Sequence, residues 1–159
     1  MEQEALSWLK ERVAVLKDGD SEIQNFESWN ARAVYFYDKD RNIVEFIARR
    51  NLRNEYNGKF DSNCLLEISE IGIATDNIKS VYNGLVKIVP LQKYDGGWER
   101  FCAFGDENGL LICINKRIKN WFPTDDRAHA SDFELEFEEN SKSYKLEYKN
   151  EQLRAVGAN

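Results

Sequence analysis

Apolar residues fill two short runs, Ala33–Tyr37 and Asn42–Ala48, with the polar turn Asp38-Lys39-Asp40-Arg41 between them. Val, Ile, Tyr and Phe favour pleated, half-buried backbone, and acids at the join favour a reversal, so the pattern predicts a β-hairpin. Side chains alternate across a strand, which puts Ile43, Glu45, Ile47 and Arg49 on one face and Val44, Phe46 and Ala48 on the other. The second face is the one expected to meet a helix. Glu45 is then a carboxylate in the middle of an apolar face, costly there unless it is paired or bound to a metal.

Upstream, Leu6, Leu9, Val13 and Leu16 recur at helical spacing, so residues 1–17 are expected as one amphipathic helix stopped by Asp18-Gly19-Asp20. Ser21–Glu27 is a polar connection. Downstream, Leu65–Ala74 is expected as a strand. Asp76 is expected to cap a helix with Ile78, Val81, Tyr82, Leu85 and Ile88 on its apolar face. Strands are then expected from Leu91, over Trp98–Phe104 and over Leu110–Asn115, with glycine-rich turns between them. The order is β-α-β-β-β. Phe133, Leu135 and Phe137 alternate with acids, and Tyr144, Leu146 and Tyr148 alternate likewise, giving a last, half-exposed hairpin. The expected division is therefore residues 1–52, a linker over 53–64, a complete unit over 65–115, an irregular segment with a hairpin over 116–150, and a disordered tail over 151–159. The two hairpins also echo each other: Phe36–Val44 lines up with Phe104–Ile112, so that Asp38 falls on Asp106, Arg41 on Gly109 and Glu45 on Cys113.

Charge narrows the partners. A net charge of −6 without any Lys/Arg run argues against binding to phosphate backbones, so no nucleic-acid partner is expected. No apolar run approaches the roughly 20 residues that span a bilayer, so no membrane partner is expected either. Three cysteines, Cys64, Cys102 and Cys113, without close C-x-x-C spacing read as free thiols in a reducing cytoplasm. The acidic start MEQEALSWLK has neither a signal-peptide nor a transit-peptide pattern.

An aromatic strand, a D-x-D-x-N turn and a strand carrying I-V-E-F resemble the last hairpin of a vicinal-oxygen-chelate module, the family of glyoxalase I, extradiol dioxygenases and bleomycin-resistance proteins. Lys39 and Arg41 stand where the family has Pro and Gly, and a left-handed Arg41 would cost roughly 1–2 kcal/mol. The resemblance implies an α+β fold of paired βαβββ modules whose sheets curl around a cavity, with the first module here lacking its opening strand. It implies a divalent metal held by residues of the first and last strands of each module. Glu45 matches a last-strand ligand and Glu70 a first-strand position, while Cys113 stands where a second Glu is expected. Trp29, Trp98, Phe101 and Trp121 are candidates for the lining of a substrate pocket, with packing in the core as the other use of strand aromatics.

Three readings follow from the resemblance. One is a metal-dependent lyase or ring-cleaving dioxygenase acting on a small vicinal-oxygen substrate, with its metal site incomplete. Another is a nonenzymatic binder of an aromatic or amphipathic small molecule. The third is a truncated relative without an assembled site. Because one strand is missing, a homodimer or a partner supplying strands is also expected. No firm cofactor follows, since two carboxylates without a motif histidine make a poor site for a catalytic transition metal. His129, the chain's single histidine, is expected in an exposed loop.

Overall fold

The computed structural model describes residues 2–56 and 58–156, an α+β chain whose described residues form two helices and three sheets. It divides into two compact units, Met1–Glu67 with Trp121–Asp126, and Ile68–Asn120 with Arg127–Asn159.

In the first unit the expected hairpin forms. β1 (Val15–Leu16) and β2 (Gln24–Phe26) pair with one edge of β3 (Ala31–Tyr37), and β4 (Ile43–Arg49) pairs antiparallel with the other. The helix α1 (Glu2–Lys10) lays Leu6 and Leu9 against Val34, with Phe36, Phe46, Trp8 and Val13 around them. This is the sheet face that carries Val44 and Phe46, as the alternation requires. The helix is shorter than its apolar spacing suggested. It ends at Lys10, and Val15–Leu16 instead pair with Phe36 and Tyr35. Val13 and Val15 lose rotamer freedom in a helix, and the edge of β3 offers their segment a ladder. Gln24–Phe26, read as a polar connection, extends the same edge.

The second unit contains the succession β5 (Glu70–Thr75), α2 (Ile78–Leu85), β6 (Lys93–Gly96), β7 (Phe101–Asp106) and β8 (Gly109–Asn115). Its sheet runs β5-β8-β7-β6, with β5 parallel to β8 and the other pairs antiparallel. β5 starts later than the apolar run at Leu65 suggested. The last bond before it runs from the Leu110 N–H to the Ser69 carbonyl, and β8 itself begins at Gly109, so earlier residues have no strand to pair with. Ile68 is accordingly 93% exposed. Asn77 caps α2 in place of the expected Asp76, its side chain accepting from the Ser80 N–H at 2.9 Å.

A second sheet of this unit is an antiparallel meander of β9 (Phe133–Glu139), β10 (Lys142–Lys149) and β11 (Gln152–Ala155). Gln152–Ala155 thus form a strand where a tail was expected, because Leu153 buries against the core beside Leu146 and Tyr148; residues 157–159 lie outside the described ones. Ile78, Val81 and Leu85 of α2 share one core with Ile73, Phe104 and Leu111 of one sheet and Leu146, Tyr148 and Leu153 of the other. The Tyr148 hydroxyl donates to the Ala74 carbonyl at 2.9 Å across that core. Among the described residues no helix is long and apolar enough to cross a membrane.

Candidate functional site

The carboxylate that the sequence singled out has a partner in its own sheet. Tyr35 and Glu45 lie directly opposite each other on β3 and β4, and the Tyr35 hydroxyl donates to Glu45 Oε1 at 2.7 Å. Hydrogen-bonded and non-bonded pairs alternate along an antiparallel ladder. The Asp38 N–H bonds the Asn42 carbonyl at 3.0 Å, so the alternation makes Tyr35–Glu45 a non-bonded pair, the kind whose side chains approach most closely. A phenol donating to a carboxylate offsets part of its desolvation, which helps hold Glu45 between Ile43 and Ile47 on this face.

A chain of aromatic rings starts at this pair. Phe122 meets Tyr35 edge-on with ring centroids 5.4 Å apart, and Phe26 at 6.0 Å. Phe26 in turn leans on Trp29 at 6.0 Å, and the Arg49 guanidinium lies 5.4 Å over the Trp29 ring. Ala31 and Ala33, opposite Arg49 and Ile47, keep the middle of the face low. Two residues along β3, the Tyr37 hydroxyl donates to Asp126 Oδ2 and the Arg41 guanidinium stacks 4.2 Å over the Tyr37 ring. The hydrogen bond to Asp126, with some burial, raises the Tyr37 pKa, so this phenol stays a donor at neutral pH. The face therefore carries a carboxylate hydrogen-bonded to a phenol, with a chain of aromatic rings running from that phenol.

The other candidate residues distribute as follows. Trp29 and Trp121 belong to the first unit with Glu45, while Glu70, Trp98 and Phe101 belong to the second. Glu70 starts β5 on the face that carries Gly72 and Ala74, opposite the face that packs on α2. Trp98 packs on Tyr82 at 5.1 Å and on Phe104 at 6.2 Å, so it rests on the helix side of its sheet. His129 is exposed.

Cys113 is misplaced by the sequence alignment. The turn of the first hairpin spans Lys39-Asp40-Arg41 between Asp38 and Asn42, whereas Asp106 pairs directly with Gly109 across Glu107-Asn108. One residue fewer in the second turn shifts the register by one, and such a shift moves every following side chain to the other face. Counted from the turns, Tyr35 and Glu45 correspond to Ala103 and Ile112, and Phe46 corresponds to Cys113. Cys113 is fully buried against α2, and burial raises its thiol pKa, so it is a packing residue.

A catalytic transition metal such as zinc is typically held by three protein donors with an open position. Among the described residues no group of three or more His, Cys, Asp or Glu side chains is placed to hold a metal ion. Glu45, with one oxygen accepting from Tyr35, does not by its neighbours make such a centre, and the donor set does not fit the metal that the resemblance implied.

Tyr35 was legible as an aromatic strand residue, but its role required the register. Trp121-Phe122-Pro123 reads in the sequence as a segment closing over the core, but that Phe122 meets Tyr35 and Asp126 meets Tyr37 carried no signal, because they lie far along the chain from the hairpin they touch. No family model matches the chain, and no curated protein matches it.

Proposed function

We propose that the chain is a relative of the vicinal-oxygen-chelate family, built on paired βαβββ-type modules with the first incomplete, and that it binds an amphipathic aromatic small molecule without metal chemistry. Support for the family reading comes from the β5-α2-β6-β7-β8 succession and from the two matched hairpins, each backed by a helix on the equivalent face. The observation that carries the binding reading is the Tyr35–Glu45 pair at 2.7 Å on a face walled by Phe26, Trp29 and Phe122. A carboxylate oxygen accepts from a ligand hydroxyl or amine, while the rings take an aromatic body.

Catechol is a suitable first probe, since its adjacent hydroxyls can donate to Glu45 and its ring can meet the aromatic wall. Bound at about 100 times its Kd it should stabilise the fold by roughly 2.7 kcal/mol, seen as a rise in Tm without added metal. Glu45→Gln and Trp29→Ala should each reduce that rise by most of its size while leaving the unliganded chain folded. A catechol-induced rise that both variants retain in full would remove this face from consideration.

A further inference from the structure

Trp121–Asp126 is a loop closed on itself. The Trp121 N–H donates to the Asp126 carbonyl at 3.0 Å, the Thr124 N–H to the Trp121 carbonyl at 3.0 Å, and the Asp126 N–H to Thr124 Oγ1 at 3.1 Å. With its ends bonded to each other, such a loop can shift as one body without giving up its internal hydrogen bonds. It belongs to the first unit, although the chain on either side of it, up to Asn120 and from Arg127, belongs to the second. Both ends are therefore places where the chain changes unit, which is where a hinge would lie.

Its contacts with β3 and its neighbour run through identifiable side chains. Phe122 lays its ring on Tyr35 and Phe26, and Asp126 accepts from the Tyr37 hydroxyl. Phe122 is only half-buried, so the ring contact is incompletely desolvated. Thr124 also hydrogen-bonds the Tyr37 side chain, so this hold is gathered on one phenol and one aromatic cluster, where a single substitution can loosen it and shift the loop toward an open state.

We propose that Trp121–Asp126 is a strap that opens from, and closes over, the Tyr35–Glu45 pair, with Tyr37–Asp126 as its latch and Phe122 as its cover. The inference rests on the reading of that pair as the ligand-binding face. In the closed state Phe122 shields the Tyr35 ring whose hydroxyl holds the half-buried Glu45; in the open state the ring meets solvent and the carboxylate is uncovered further. Losing a hydrogen bond to a charged group should raise the open population about tenfold.

The test needs no ligand, so it can fail or succeed independently of catechol binding. The folded full-length chain is treated with a water-soluble carbodiimide and glycine ethyl ester, and amidation is mapped by peptide mass spectrometry. Tyr37→Phe and Asp126→Ala should each speed labelling of Glu45 about tenfold while leaving the exposed Glu11 unchanged. Phe122→Ala, which removes the cover and keeps the latch, should speed it as well. Unchanged Glu45 labelling in all three folded variants overturns the strap, and so does equal acceleration at Glu11, which would mark general loosening.

Discussion

Tyr148 places a hydroxyl in the core of the second unit at 1% exposure, and burial pushes its ionisation up to about 12. Its bond to the Ala74 carbonyl ties the meander to the end of β5, while its ring stacks on Phe133 at 5.2 Å. Tyr148→Phe keeps the ring and leaves that carbonyl without the donor, so it should cost about 1–3 kcal/mol in urea unfolding. A cost near zero would mean that another donor reaches Ala74. Glu45 poses the same problem at half-burial, and the sequence exposed the problem while hiding its solution. A lone acid among Ile, Val and Phe is visible in the chain; that Tyr35 stands opposite it depends on the length of a turn. Cys113 shows the cost of that dependence, since a one-residue difference between two turns moved it from a supposed ligand position into the core.

At the scale of elements, strongly alternating segments were legible and their ends were not. β3, β4 and the Phe133–Glu139 strand follow from their own residues, because side-chain alternation needs only local chain to show itself. The end of α1, the start of β5 and the strand at Gln152–Ala155 depend on a partner edge elsewhere in the chain, which no local pattern records. The β3–β4 turn combines both cases. Arg41 takes the left-handed conformation, φ 69°, that the resemblance expected of the family's Gly, and its guanidinium recovers part of the strain by stacking on Tyr37. Arg41→Gly should leave stability within about 0.5 kcal/mol, as strain relief, the lost stacking and added chain entropy nearly cancel. Arg41→Val should cost about 1–2 kcal/mol, because a β-branched residue resists this conformation and cannot reach the ring. Thermal unfolding of the two variants side by side checks the sign and the order.

At the scale of the whole molecule, two hairpins and a helix for each were readable from the sequence, though not the register that relates them. Trp121-Phe122-Pro123 was readable as a segment over a core, but not that residues 121–126 join the first unit. Long-range ties of this kind also set the response to acid. In the second unit Asp76 and Glu151 share Lys116, Arg117 pairs with Asp76, and Glu151 accepts from the Asp76 N–H at 2.9 Å. This joins the β10–β11 turn to the start of α2 and the end of β8. The Arg117 hydrogen bond holds the Asp76 carboxyl below its usual range, and the Lys116 hydrogen bond does the same for Glu151. A carboxyl with a depressed folded pKa contributes stability that is present above its unfolded value, about 4, and lost as pH falls through the folded value. The partners titrate the other way: Lys116 is raised, so its share is lost only at strongly alkaline pH. Stability should therefore be flat across neutral pH and decline below about pH 4. Asp76, Lys116 and Glu151 are half-buried and Arg117 is exposed, so solvent screens the cluster in part and the decline should be modest and should shrink further in salt. Glu151→Gln removes one of the two titrating carboxyls and keeps a side-chain acceptor. Its Tm should lie below wild type at pH 7 and fall less between pH 7 and pH 3, with the Leu153 amide exchanging faster than wild type at neutral pH. A variant whose Tm falls as steeply as wild type would show that the acid response arises outside this cluster, among carboxylates such as Glu2 beside Arg50 or Glu22 beside Lys10.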